Sequence, residues 1–393
     1  MLKTWRWFGK NDPITLPMLK QIGVEGIVTS LYHIPAGDIW KKDEINELKT
    51  YIEDFGFPWS VVESVSVHES IKLGGKDRDE KIENFRQTLV YLGELGIKTV
   101  CYNFMPVIDW IRTDLNRIQP DGTSTLFFDR IRFAYFDCKI LNRENAEKDY
   151  SAEEIRQVNE LNKVMTNEEK NALIHTIIVK TQAFISRQIV GEEQDPVQAF
   201  NELLRLYDGV DKNQLRKNLV YFLKRIIPTA EKYGIKMCIH PDDPPYPVFG
   251  LPRIVTGEED IQWILDAVHN ESNGLTFCAG SLSAGVHNNT VALAEKFAKQ
   301  TCFVHLRSTD VAENGDFIEA SHLEGRGNLI ELIRIFEKQN PSLPMRVDHG
   351  KLMLDDAEKD YNPGYSFLGR MFALAQVEGM MAVVRNEIDT NRI

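Results

Sequence analysis

The chain has 393 residues, of which 43% are apolar and 26% charged, as in ordinary globular proteins. Its formal net charge of −12 argues against nucleic acid or an anionic membrane as the main partner, because both attract basic surfaces. Five cysteines without regular spacing, and no stretch approaching the roughly 18 apolar residues of a membrane span, predict a cytoplasmic protein with free thiols.

The predicted elements alternate between amphipathic helices and short β-rich runs. A helical pattern over residues 45–55 ends at Gly56, and a strand follows from Trp59. The same order recurs around Gly96 and Gly234. Glycine after the last helical turn readily adopts the left-handed conformation that ends a helix. This alternation predicts βα units and a parallel sheet.

Eight strand candidates follow one another along the chain. They are Thr4–Phe8, Gly26–Ser30, Trp59–Val65, Thr99–Phe104, Lys236–His240, Leu275–Ala279, Phe303–Arg307 and Met345–Asp348. Eight in series predict an α/β protein closed into a (β/α)8 TIM barrel. An open doubly wound sheet is the alternative, because closure leaves no mark in a sequence. No glycine-rich phosphate-binding loop follows any strand, so a nucleotide-binding fold has little support.

The fourth and fifth strand candidates are about 130 residues apart, far more than one helix requires. The segment from about Asp109 to Asn213 is rich in charge, yet it has periodic apolar positions such as Ile174, Ile177 and Ile178. That periodicity favours helices over a disordered linker. We therefore expect one barrel domain over residues 1–393, with a helical insertion at 109–213 that serves as a lid or an oligomer contact.

Each of the last four predicted strands ends in a potential metal ligand. These residues are His240, Cys278, His305 and Asp348. Their spacing of 38, 27 and 43 residues is about one βα unit per step, and consecutive strand ends lie side by side at the mouth of a barrel. Two imidazoles, a thiolate and a carboxylate suit Fe, Mn, Co or Zn better than Ca or Mg. The other cysteines are interpreted as core residues: Cys101, Cys138, Cys238 and Cys302.

Six short motifs are spread over both ends of the chain. They are Thr4–Gly9, Ile239–Pro245, Phe277–Ser281, Val304–Arg307, Val347–Gly350 and Asn362–Tyr365. Together they resemble the mannonate dehydratase family of the bacterial hexuronate pathway, over essentially the full length. The family pattern has proline where this chain has Val347, a change from which we expect no functional consequence.

The resemblance implies a barrel that dehydrates D-mannonate to 2-keto-3-deoxy-D-gluconate and water. It also implies that the His, Cys, His and Asp cluster holds Mn2+ or Fe2+. A thiolate is a softer ligand than Mn2+ prefers, so the residues by themselves favour Fe2+.

This reaction removes a proton from C2 and hydroxide from C3, so the site needs a base and an acid. His349 and Tyr365 are the candidates for these proton transfers. His349 and its neighbour Asp348 can both line the mouth only if the strand has ended there, because adjacent strand residues face opposite sides. The candidates for binding the substrate are Arg307, Arg6 and His322. Asp242 and Asp243 either orient the metal ligands or cap the turn after His240.

Two other functions are compatible with these residues. A barrel sugar isomerase or epimerase also uses a divalent metal at strand ends, although such sites usually rely on Glu, Asp and His. A relative without catalytic activity would bind a sugar acid and release it unchanged. In each case we expect a small-molecule sugar acid as the partner and a homo-oligomer, a dimer or higher.

Overall fold

The computed structural model describes residues 1–182 and 195–390. Its strands are β1 Leu2–Arg6, β2 Gly26–Thr29, β3 Trp59–Glu63, β4 Thr99–Tyr102, β5 Asp114–Ile118, β6 Ser124–Phe128, β7 Lys236–Ile239, β8 Asn273–Cys278, β9 Thr301–His305, β10 Thr309–Val311, β11 Phe317–Glu319 and β12 Pro344–Arg346. Its α-helices are α1 Leu16–Gln21, α2 Lys42–Asp54, α3 Glu69–Leu73, α4 Arg78–Glu94, α5 Arg130–Tyr135, α6 Ala152–Val164, α7 Asn167–Ile174, α8 Pro196–Arg205, α9 Lys212–Tyr233, α10 Glu258–Ala267, α11 Ala279–Ser283, α12 Thr290–Phe297, α13 Leu329–Gln339 and α14 Phe367–Asp389. Short 3-10 helices occupy Ala146–Asp149 and Leu354–Glu358, and π-helical turns occupy Phe136–Ile140 and His175–Lys180.

Eight parallel strands close into a barrel in the order β1-β12-β9-β8-β7-β4-β3-β2. The predicted (β/α)8 fold is confirmed, and the open sheet is excluded, because β1 pairs with both β2 and β12. The last two barrel strands end two residues earlier than predicted: β9 stops at His305 and β12 at Arg346. The residues that follow them are therefore free to turn into the mouth of the barrel.

The insertion between β4 and β7 is largely helical, but it begins with a β-hairpin, β5–β6, that the sequence reading did not include. The hairpin turns at Pro120-Asp121-Gly122, where Gly122 has a φ of 81°, a conformation that favours glycine. β10 and β11, which follow barrel strand β9, join this hairpin in a second sheet of order β10-β11-β6-β5. This second sheet thus connects the insertion to the mouth of the barrel. Its residues 183–194 lie outside the described part of the chain.

The apolar side chains form separate clusters that match this architecture. The largest fills the space between the barrel and its helices, and a second lies under the insertion around Phe128, Phe133 and Phe249. Inside the barrel, Cys101 packs in a small cluster with Phe303 and two valines. Of the four cysteines predicted to be core residues, Cys101, Cys138 and Cys238 are buried. Cys302 is only partly buried, and it lies at the start of β9.

Helix α14 is apolar and long enough to cross a membrane by length and composition, with a mean hydropathy of 1.4 over its best window. It lies against the barrel instead: Phe367 packs edge-on against Trp5, and Arg370 stacks on the same indole at 4.0 Å. A helix that covers the core of a globular protein passes the same test of length and composition.

Candidate active site

The four predicted metal ligands meet at the mouth of the barrel. Ligand atoms of His240, Cys278 and His305 all lie within 4.8 Å of one another, and His240 Nε2 is 3.2 Å from His305 Nδ1. Asp348 adds its Oδ2 atom at 3.9 Å from Cys278 Sγ and 3.7 Å from His305 Nδ1. Residues more than 100 positions apart are collected here because each follows the end of a neighbouring parallel strand.

The two histidines direct their nitrogens to one point. His240 Nδ1 donates to the carbonyl oxygen of Pro241 at 2.6 Å, which leaves Nε2 to face the cluster. His305 turns Nδ1 toward the cluster, while its buried Nε2 lies 3.6 Å from Glu63 Oε1 and has no hydrogen-bond partner among the described residues. An imidazole whose second nitrogen donates to a backbone carbonyl, as in His240, is typical of metal-binding histidines.

Cys278 has the electrostatic surroundings of a thiolate. Its sulfur accepts hydrogen bonds from Ser281 Oγ at 3.2 Å and from the Ser281 amide at 3.5 Å. Burial alone would raise the pKa of the Cys278 thiol, but Arg307 and His240 hold it well below its usual range. Burial would lower the pKa of His240, yet Cys278 and Asp109 raise it to about 9. A divalent cation would take the place of that imidazole proton, so the donor set fits a metal ion of the N/S/O-binding kind.

Asp348 and His349 both face the mouth because β12 has ended at Arg346. Asp348 has a φ of 57°, a left-handed conformation that turns the chain out of the strand. Its carboxylate is bound by Arg346 and by Arg307 Nε at 2.6 Å. Gly350 completes the turn, since a Cβ atom there would lie 2.5 Å from the backbone nitrogen of Arg370. The condition that the sequence analysis set for these two residues is thus met.

His349 and Tyr365, the candidates for proton transfer, are neighbours. Their rings meet edge to face with centroids 5.2 Å apart, and the Tyr365 hydroxyl lies 3.3 Å from Asp348 Oδ1. Burial raises the pKa of Tyr365 to about 12, although Arg6 opposes the shift. His349 Nδ1 lies 3.2 Å from Glu319 Oε1, and Trp110 covers the ring at 5.5 Å.

The three predicted substrate-binding residues differ in what they contact. Arg307 gives its donors to Asp348, Glu319 and Asp243, and its side chain is 3% exposed. His322 donates from Nε2 to the carbonyl oxygen of Val347 at 2.9 Å, and so supports the backbone that carries Asp348.

Arg6 contacts Glu63 and Tyr365 through Nη1, and its buried Nε has no hydrogen-bond partner among the described residues. Arg6 and Arg307 both line a small cavity beside the cluster, and His322 is not among the residues that line it.

Several buried charges of the site carried no signal in the sequence. They are Glu63, Arg112, Glu319 and Arg346. Asp242 and Asp243 were singled out with two possible roles, and the structure separates them. Asp242 accepts from the amides of Ile254 and Val255, and so holds a later loop and not the turn directly after His240. Asp243 binds Arg112 at 2.8 Å, Arg307, and Ser281 at 3.1 Å.

Two cavities that share lining residues open at this end of the barrel. One of about 60 Å³ is lined by His240 and Asp348 of the cluster, together with His349 and Tyr365. A second of about 430 Å³ lies under the loops that follow β2 and β3, and it is lined by residues that include Tyr32 and His68. Arg6 and Ser64 line both cavities, which are therefore adjacent.

Comparison with known proteins identifies the family of this chain. The family model for D-mannonate dehydratase (UxuA) matches residues 1–391. A mannonate dehydratase from Marinomonas sp. is 45% identical and the alignment covers 97% of this chain and 98% of that protein; one from Chromohalobacter salexigens is 43% identical, with 98% and 99% covered. The crystal structure of mannonate dehydratase from Streptococcus suis serotype 2 superposes with a TM-score of 0.76 at 33% identity, covering 99% of this chain and 95% of that one. The chain belongs to the D-mannonate dehydratase family.

Proposed function

We propose that this enzyme removes water from D-mannonate to give 2-keto-3-deoxy-D-gluconate, with a divalent cation bound by His240, Cys278, His305 and Asp348. The observation that carries the proposal is the meeting of these four side chains beside His349 and Tyr365 at the barrel mouth. Membership of the dehydratase family supports elimination over the two alternatives, isomerisation and binding without turnover.

The proposed cation is Mn2+ or Fe2+. Its ligands are two nitrogens, one sulfur and one carboxylate oxygen, a set that hard cations such as Ca2+ and Mg2+ disfavour. When bound, the ion supplies positive charge that stabilises the negative charge developing on the substrate oxygens as the C2 proton leaves.

His349 and Tyr365 divide the two proton transfers between them. One accepts the C2 proton, and the other gives a proton to the departing C3 hydroxide. Both side chains line the small cavity. Asp348 Oδ1 lies between them, 3.7 Å from His349 Nε2 and 3.3 Å from the Tyr365 hydroxyl. Trp110 covers the His349 ring and limits the access of water to it.

The substrate is expected to occupy both cavities. The smaller one, of about 60 Å³, corresponds to roughly four to six water-sized sites, too few for a six-carbon sugar acid. We therefore place the carboxylate and the C2–C3 segment near the cluster, and the remaining hydroxyl-bearing carbons in the larger cavity. Arg6 lines both cavities and Arg307 lines the smaller one, so both guanidiniums are suited to hydrogen bonds with the substrate.

The decisive experiment is anaerobic turnover of D-mannonate by metal-loaded protein, with detection of the 2-keto-3-deoxy acid. Cys278→Ser is expected to lose metal, whereas His349→Asn is expected to keep metal and lose turnover. Cys138→Ser, at a buried thiol under the insertion, serves as the control that keeps both. Wild-type protein that binds metal but releases unchanged or isomerised substrate would contradict the proposal.

We also propose that the enzyme works in the cytoplasm, in hexuronate degradation, as a homo-oligomer. All five cysteines are free, which suits a reducing compartment. Helix α14 leaves Phe372 and Val383 more than half exposed on its outer side, and a second copy of the chain would cover them. Sedimentation of wild type and Val383→Glu tests the assembly, since a charge within such an interface is expected to dissociate it. A monomeric wild type would contradict it.

A further inference from the structure

Glu319 lies on β11, outside the barrel, yet its carboxylate reaches the catalytic candidates. Its Oε1 atom lies 3.2 Å from His349 Nδ1 and accepts from Arg112 Nη2 at 2.6 Å and from Arg307 Nη1 at 2.8 Å. The residue is 6% exposed, so these partners replace nearly all of its contact with water.

The position of this carboxylate is fixed from several sides. Arg112, at the start of the insertion, is fully buried and divides its donors between Glu319 and Asp243. Its guanidinium also stacks on Phe317, two residues before Glu319, at 4.6 Å from the ring centre. The backbone of β11 is paired on one side with β10 and on the other with β6. Glu319 therefore has little freedom to follow a change in the His349 ring, whereas it can dictate the orientation of that ring.

A carboxylate between two guanidiniums remains ionised. Burial would raise the pKa of Glu319, but Arg307 and Arg112 lower it to about 2. An ionised carboxylate only accepts hydrogen bonds, so its partner nitrogen, His349 Nδ1, must carry the proton. The other ring nitrogen, Nε2, then lies on the side of Asp348 and the small cavity.

We infer that Glu319 is the positioning residue of His349: it holds the Nδ1–H group and so presents Nε2 to the reacting carbons of the substrate. This inference rests on the proposed function of the site. A proton-transfer residue whose second nitrogen is bound by a fixed carboxylate is a recurring arrangement in catalysis, because it selects both the tautomer and the ring orientation.

The inference also gives the insertion a part in catalysis. Arg112 and Trp110 both belong to the first residues of the insertion. Arg112 binds Glu319, and Trp110 packs against the His349 ring. Asp243 and Glu319 together supply two negative charges for the guanidiniums of Arg112 and Arg307, and this balance does not depend on the contact between Glu319 and His349. The bond to the imidazole is thus additional to charge balance within the cluster.

The test compares wild type with Glu319→Gln and Glu319→Met. Glutamine keeps an acceptor of the same shape but loses the charge, and methionine keeps the approximate volume without an acceptor. We expect kcat for D-mannonate to fall about 100-fold in the methionine variant, with KM changed less than about threefold and metal content unchanged, and to recover at least about tenfold in the glutamine variant.

A second measurement determines which nitrogen of the His349 ring carries the proton. In protein labelled with 15N-histidine and loaded with diamagnetic Zn2+, long-range 15N–1H correlation spectra report which ring nitrogen carries the proton, and the His349 signal is the one absent from His349→Asn. We expect an Nδ1 proton in wild type, a shifted Nδ1–H signal in Glu319→Gln, and loss of the fixed Nδ1 proton in Glu319→Met. Asp137→Asn is the control: it removes a buried carboxylate bound by Arg143 and Tyr150, far from His349, and is expected to change neither readout.

A folded Glu319→Met protein with wild-type kcat and an unchanged His349 signal would overturn the inference. If methionine prevents folding, an unmoved Nδ1–H signal in Glu319→Gln overturns it instead. If wild type does not dehydrate D-mannonate, the proposed function fails, while the histidine spectra still support or overturn the role of Glu319.

Discussion

Arg6 and Tyr365 are 359 residues apart in the chain, and the guanidinium of Arg6 donates from Nη1 to the Tyr365 hydroxyl at 3.2 Å. The first barrel strand and the loop after the last one are thereby joined at the site. Arg370 adds a second link, because it donates to the backbone carbonyls of both residues, at 3.0 Å each. The hydroxyl of Tyr365 is thus held in place from both ends of the chain, as a group that transfers a proton requires.

Tyr365→Phe is expected to lower kcat by about 100-fold or more while metal content and the melting temperature stay near those of wild type, because the ring packing remains and only the hydroxyl is lost. Steady-state kinetics and metal analysis check this. Tyr150→Phe removes a hydroxyl that binds Asp137 in the insertion, and is the matched control that should keep its turnover. Equal kcat in Tyr365→Phe and wild type would remove Tyr365 from the proton transfers.

Ser281→Ala is expected to weaken metal binding by about 10- to 100-fold, the usual cost of losing a group that orients a ligand. The Ser281 hydroxyl donates to Cys278 Sγ and lies at 3.1 Å from both Asp243 and Arg307, so its loss frees the thiolate to turn. Competition with a metal chelator measures the change.

Ser283→Ala is the control for that measurement. Ser283 is equally buried on the same short helix, but its hydroxyl binds the Gly280 carbonyl and Thr309 instead of the sulfur. If both variants lose affinity equally, the effect comes from the helix and not from the hydrogen bond to Cys278.

Asp260, which lies away from the site, makes a pH-dependent contribution to the free energy of unfolding. Burial would raise the pKa of Asp260, but Lys212, Thr256 and Arg216 lower it below the ordinary value. A lowered folded pKa means that the stabilisation is fully present above the unfolded pKa of about 3.9, and is lost as pH falls from there through the folded pKa.

Asp260→Asn should therefore reduce the free energy of unfolding by about 2 kcal/mol at pH 7, with the gap narrowing below about pH 4. Urea unfolding of both proteins across this range checks the sign. A gap that widens on acidification would contradict the assignment.

The features that could be predicted from the sequence are those that recur at regular intervals along the chain. The features that were missed depend on contacts between residues far apart in the chain. The metal-ligand candidates could be found because strands recur at regular intervals and a barrel brings successive strand ends together. Arg307 was named as a candidate for binding the substrate, but nothing in the sequence around it shows that three carboxylates converge on it. Glu319 could not be found, because it reaches the site through a small sheet formed by a hairpin of the insertion and two strands that follow β9. Arg112 could not be found either, because it lies just before that hairpin.

Ser66→Leu tests where the substrate extends. Ser66 is partly buried and lines the larger cavity, without belonging to the cluster or to its supporting contacts. Leucine there would fill space that the distal hydroxyl-bearing carbons are expected to occupy. We expect KM for D-mannonate to rise about tenfold, which corresponds to about 1.4 kcal/mol of binding, while metal affinity stays unchanged.

A four-carbon aldonate with the same configuration at C2 and C3 serves as the internal control, because it would not reach the larger cavity. For that shorter acid, the difference between wild type and Ser66→Leu should disappear. An equal loss for both acids would mean that leucine disturbs the small cavity instead, and the larger cavity would then no longer be assigned to the substrate.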